Sequence, residues 1–194
     1  MDIFTILILF TPIGGIIVQF SISFFTYIAS LLFSIFSRSL RADFLSIKLN
    51  PFNQNTDKVM QSKYFSFYKG VFVIKTSIKR PCSVCMLVMN HKKNDYFETI
   101  LKHEYGHIFQ QMILGPIKYL LLIGIPSSLQ LSKRSYYCRP WESTADCFGR
   151  VVPEGKHRKT KKDNIIGFSY LAVSALLGPI AFFFLFNEYK NNGA

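Results

Sequence analysis

Hydrophobic and polar positions are segregated along this chain rather than interleaved. From Ile3 to Phe36 there is no charged residue, and from Ile165 to Phe186 there is none. A helix rises 1.5 Å per residue, so about 20 apolar residues cross a hydrocarbon layer of about 30 Å. The stretch from Ile165 to Phe186 predicts one such membrane helix, and the kink that Gly178-Pro179 would impose is tolerated there. The stretch from Ile3 to Phe36 is too long for one upright span. Thr11-Pro12-Ile13-Gly14-Gly15 offers a break in it, and one long tilted helix or a helical hairpin both satisfy the pattern. Asp2 stands where a cleaved secretory signal carries basic residues, and the apolar run exceeds the length of such a signal.

Between these ends the period changes. Residues 38–63 are mixed and polar, with a turn at Asn50-Pro51. The run from Tyr64 to Lys79, YFSFYKGVFVIKTSIK, is rich in β-branched and aromatic residues and predicts a hairpin turning at Lys69-Gly70. SVCMLVMN, residues 83–90, predicts a third strand, followed by a polar turn at His91–Asn94. A helix then begins: Asp95 is the predicted cap, with Glu98 at capping-box spacing. Phe97, Ile100, Leu101, Ile108, Met112 and Ile113 keep helical spacing until Gly115-Pro116 stops it. The apolar segment 117–126 is too short for a span and belongs at the membrane interface or in the core.

Composition sharpens this picture in one respect. The chain has 194 residues, is 49% hydrophobic, and yet carries a net charge of +12. Almost all the lysine and arginine lies between Arg38 and Lys162. Arg38 and Arg41 follow the first apolar block, while Lys156, Arg158, Lys159, Lys161 and Lys162 precede the last. Basic loops stay on the cytoplasmic side, which places residues 38–162 in the cytoplasm. Where the basic run abuts an apolar span, contact with anionic headgroups accounts for it better than a nucleic-acid patch. The four cysteines are expected as free thiols in that compartment. Cys82-Ser-Val-Cys85, lacking a second such pair, reads as packing in a strand rather than a metal knuckle.

Candidate chemistry lies in LKHEYGHIFQQ, residues 101–111. Positions i and i+4 on a helix differ by about 40° of rotation and 6 Å of rise, so His103 and His107 project from one face and can grip one cation. Glu104, about 100° round from His103, stands near the open side of such a cation and can take a proton from its water. A further protein ligand must come from elsewhere. RPWESTADCFG, residues 139–149, offers Glu142 and Asp146 one turn apart: one carboxylate to ligate, the other to accept an imidazole N–H. Gly106, costly inside a helix, leaves room for a second helix or a strand to approach. A donor for the developing oxyanion is sought among Tyr136, Tyr137, Arg139 and His157, with Tyr137 favoured for its position near Glu142.

His103-Glu104-Tyr105-Gly106-His107 followed by Glu142-x-x-Ala-Asp146 resembles the gluzincin zinc metallopeptidases, most closely the membrane-bound types with a His-Glu-x-Gly-His helix and a later Glu-x-x-Ala-Asp helix. The flanks of the first motif are similar to small bacterial membrane proteins carrying the same pair. The resemblance covers residues 103–149. It implies zinc held by His103, His107 and Glu142, Glu104 as general base, and Asp146 behind a ligand histidine. It also implies an α+β fold: a mainly helical zincin-like core with a small antiparallel sheet. The expected organisation is an N-terminal membrane segment over 1–37, a cytoplasmic zincin-like domain over 38–163, a C-terminal membrane helix over 164–187, and a tail over 188–194. The expected activity is hydrolysis of peptide or protein substrates at an inner-membrane location, among lipids and without nucleic acid. The alternatives are a membrane protein whose metal serves structure or sensing, a lipid-surface module with no metal, and an intramembrane protease.

Overall fold

The computed structural model describes residues 3–45, 50–78, 80–90, 95–129, 135–152 and 160–178. The first apolar block breaks where the sequence predicts. Helix α1 covers Ile3–Phe10 and α2 covers Pro12–Phe36. Thr11 between them is extended and its hydroxyl accepts the Gly14 N–H, while Pro12 occupies the first turn, where no N–H is needed. A short helix α3, Arg38–Leu45, and another, α4, Thr56–Gln61, lead into a four-stranded sheet.

The sheet has strands β1 (Phe65–Tyr68), β2 (Val71–Thr76), β3 (Cys82–Ser83) and β4 (Leu87–Asn90), in the spatial order β1-β2-β4-β3. β1 and β2 form the predicted hairpin, with Lys69 and Gly70 both at positive φ, the turn whose twist matches that of the strands. The expectation of an antiparallel sheet is corrected: β2 and β4 pair in parallel, so the sheet is mixed. The chain leaves β2, forms the two-residue strand β3, and turns back through Cys85 at positive φ. β4 is thereby inserted between β2 and β3, and β3 becomes an edge.

Period-two alternation sends the strands' side chains to two different partners. Val71, Val73, Leu87 and Met89 join Leu101, Tyr105 and Ile108 of helix α5, Phe97–Leu114. Phe67 and Phe72 face the other way, where Tyr27 of α2 meets Phe67 edge-on at 5.7 Å. The sheet is thus covered by α5 on one side and by α2 on the other. α5 starts one residue later than the capping-box reading requires: its cap is Tyr96, which offers no side-chain hydrogen bond. Gly115, at φ 76°, ends it.

After α5 come α6 (Pro116–Tyr119), a π-helical turn (Leu120–Gly124) and α7 (Ile125–Ser128). Helix α8, Pro140–Gly149, and helix α9, Lys161–Leu177, complete the described chain. α9 opens with a reciprocal capping box between Thr160 and Asp163. It buries Gly167, Tyr170, Leu171 and Ser174. With Trp141, Leu114, Tyr119, Leu122 and Ile123, its Tyr170 and Leu171 form a second core. The remainder of the predicted C-terminal span, 179–186, and the basic run 156–159 lie outside the described residues.

Among the described residues one helix, α2, is long and apolar enough to cross a membrane. Its polarity is inverted relative to a helix on a water-facing surface. Gly14, Gly15, Gln19, Ser23, Ser30 and Ser34 face inward, while Phe20, Phe24, Phe25, Leu32, Phe33, Ile35 and Phe36 are exposed. The inward face is a tight seam. A Cβ on Gly15 would lie 2.6 Å from the Met112 carbonyl oxygen of α5. Further along, Gln19 donates to the Cys85 carbonyl at 2.8 Å.

Candidate metal centre

Two helices meet at this site at backbone distance, because each carries a glycine where the other passes. A Cβ on Gly106 of α5 would lie 1.8 Å from the Ala145 carbonyl oxygen of α8, and one on Gly149 of α8 would lie 2.1 Å from the Lys102 carbonyl oxygen of α5. No side chain fits at either point. The approach that Gly106 predicts is therefore present, and Gly149 answers it from the opposite helix.

The crossing brings His103, His107 and Glu142 together as a buried cluster that can hold a metal ion, their ligand atoms within 4.8 Å of one another. Glu142 Oε2 lies 3.1 Å from His103 Nε2 and 3.3 Å from His107 Nε2. A tetrahedral ion with bonds of about 2.0–2.1 Å sets its ligands roughly 3.3 Å apart.

The partners of the other ring nitrogens fix what faces the cluster. His103 Nδ1 is 2.5 Å from Asp146 Oδ1, and His107 Nδ1 is 2.7 Å from Gln110 Oε1. Gln110 donates through Nε2 to the Trp141 carbonyl at 2.6 Å and to Thr144 Oγ1 at 2.5 Å, which assigns its oxygen to the histidine. Carboxylate and amide oxygens only accept, so each Nδ1 carries the proton and each Nε2 of a neutral ring presents a lone pair. Two such lone pairs then point at a carboxylate oxygen, and His103 Nε2 is buried without a hydrogen-bond partner. Only a cation in their midst reconciles the three.

Without a metal that cation is a proton. Burial alone would depress the His103 pKa, but the Asp146 and Glu142 carboxylates outweigh it and lift it to about 10. Burial would raise Glu142; the two histidines overcome this and hold it well below the usual carboxylate range. A metal ion taken up by this cluster would therefore displace a proton.

Gln110 has no counterpart in the sequence reading. It lies one turn beyond His107 and ties that ring to α8, so α5 supplies the two histidines and α8 holds both rings in orientation, through Asp146 and through Trp141 and Thr144. Gln110→Leu is expected to weaken the affinity for a divalent cation roughly 10–100-fold, the usual cost of losing such a support. Chelator competition measures it, and an unchanged affinity would dismiss the role.

Glu104 is buried but is not one of the three clustered residues. Ser83, on edge strand β3, donates to its Oε2 at 2.8 Å, and the Tyr119 hydroxyl donates to the Ser83 carbonyl at 3.0 Å. A cavity of about 610 Å³ opens over the cluster. Arg80 to Val84, Ile100, Tyr119, Ser127 and Tyr136 are among the residues that line it.

The Tyr137 side chain lies outside the described structure, as does His157. The neighbouring Tyr136, in the single turn Tyr136–Cys138, lines the cavity, with its ring 6.3 Å from that of His103. Burial first, then the nearby Glu142 and Glu104 charges and a hydrogen bond to the Glu142 carboxylate, push its pKa up, so its hydroxyl stays protonated. Arg139 stacks on the same ring at 5.3 Å. Cys82 and Cys85 take no part in the cluster. Cys82 is exposed; Cys85 is buried, its amide donating to Gln111 Oε1 at 2.9 Å and its sulfur accepting from Gln111 Nε2 at 2.9 Å. Compared with protein-family models, curated proteins and solved structures, the chain matches none.

Proposed function

We propose that this protein is a membrane-anchored, zinc-dependent peptidase. The observation that carries the reading is the convergence of two imidazoles on one carboxylate oxygen, at 3.1 and 3.3 Å, beside a fourth group, Glu104, that Ser83 holds in place. Two nitrogen donors and one oxygen, fixed by partners behind them, suit zinc. Zinc in such a site would supply a Lewis acid and an acidified water.

The remaining steps belong to the chain's own groups. A peptide enters the cavity alongside the edge strand β3. Glu104 accepts a proton from water as the water attacks the carbonyl, and later delivers that proton to the leaving amine. The Tyr136 hydroxyl donates to the carbonyl oxygen as charge develops there. The exposed aromatic face of α2 supports its insertion in lipid, with Arg38 and Arg41 after its C-terminal end on the cytoplasmic side.

The direct test is metal analysis of the detergent-purified protein. Wild type is expected to hold one zinc per chain, and His103→Ala, His107→Ala and Glu142→Ala to lose it. Equal zinc in all four proteins would discard the assignment.

A further inference from the structure

The two oxygens of Glu142 have different partners. Oε2 faces both imidazoles, while Oε1 accepts the Ser127 hydroxyl at 2.6 Å. Ser127 stands on α7, directly after the π-helical turn Leu120–Gly124. Such a turn has one residue more than an α-turn and so shifts the face that every later side chain presents. The segment that leads into α7 is held from several sides. The Tyr170 hydroxyl donates to the Leu122 carbonyl within the π-turn. Lys118 donates to the Ala175 carbonyl at 2.9 Å, and Leu122 and Ile123 are buried in the second core. Ser127 therefore reaches the carboxylate from a fixed platform that belongs to neither ligand helix.

We propose that Ser127 is a positioning residue that restricts Glu142 to one-oxygen ligation and so keeps a coordination position free for solvent. The proposal rests on the metal reading above. A carboxylate can bind an ion through one oxygen or both. With two histidines and one solvent molecule, a chelating Glu142 would raise the donors from four to five and crowd the position that an open catalytic site keeps for solvent. For Oε1 to turn towards the ion it must give up a hydrogen bond to a charged acceptor, the stronger kind, and leave the Ser127 hydroxyl without it.

Cobalt(II) reports coordination number through its visible absorption, without any substrate. Wild type, Ser127→Ala and Ser127→Thr are loaded with cobalt and compared at equal metal content. Ser127→Ala is expected to bind one cobalt while its absorption intensity falls about twofold or more, as a centre of four donors gains a fifth. Ser127→Thr, which keeps the hydroxyl, is expected to retain the wild-type spectrum. X-ray absorption of the zinc-loaded alanine variant is expected to show one additional oxygen neighbour. Ser127→Ala with one cobalt and an unchanged spectrum overturns the proposal and leaves the metal centre standing. Loss of cobalt from that variant also overturns it, because the hydroxyl would then secure the ligand rather than limit it. A wild type that takes up no cobalt overturns both readings together.

Discussion

Glu104→Gln is expected to keep the metal at its wild-type level and to lower hydrolysis of a labelled protein substrate by about 10²–10⁴-fold, the usual contribution of a general base. Glutamine nearly matches glutamate in shape, and its amide oxygen still accepts the Ser83 hydroxyl, which reaches Glu104 at 2.8 Å. The α5–α8 crossing rests on backbone packing and not on the charge that is lost. What disappears is the capacity to take up a proton. The substitution therefore separates a hydrolase from a structural or sensing metal site, for which the amide is as good as the acid. Metal content and turnover measured on the same preparation decide between them. Equal turnover in the two proteins would remove Glu104 from the mechanism.

Gly106→Ala is expected to lower thermal stability by on the order of 5 °C and to weaken metal binding as well. Helix propensity alone predicts the opposite sign, since alanine is favoured over glycine by about 1 kcal/mol in a helix interior. Packing wins because the new methyl would sit 1.8 Å from a backbone oxygen, which no rotamer change can relieve. The helices must move apart, at about 1–3 kcal/mol for overpacking of this kind. That separation also carries Glu142 away from the imidazoles of His103 and His107, so affinity falls together with stability. Denaturation curves and chelator competition on the alanine variant measure both. A variant as stable as wild type would show that the helices do not cross as closely as the glycines indicate.

The legible part of this molecule is the part governed by local periodicity. The four-residue spacing of His103 and His107, repeated in Glu142 and Asp146, is a property of any helix, so both faces of the centre could be read before the fold was known. Lys69-Gly70 and Thr11-Pro12 signal their turn and break through backbone preferences that neighbours do not override. Asp95 failed as a cap because α5 begins after Tyr96, and a capping pattern says nothing about which residue first adopts helical dihedrals. The parallel pairing of β2 with β4 was not legible either, as it depends on where the chain returns after the two-residue strand β3. Ser83 and Ser127 were missed for the same reason: each reaches a carboxylate 21 or 15 residues away, and no spacing rule marks such a pair. Gln110 did leave a signal, one turn past His107 on the ligand face, but an amide there is as common in ordinary packing.

The seam between α2 and the rest of the chain changes what an anchor means in this molecule. Tyr27 closes the back of the sheet, Gln19 steadies the turn that leads out of Ser83, and Gly15 lies against the very helix that carries both histidines. A tether can be cut without consequence to its cargo; a wall cannot. Removing the residues up to Phe36 would peel away one side of the body that carries the His103, His107 and Glu142 cluster, so a test of the proposed activity belongs in micelles or bilayers with the first helices intact.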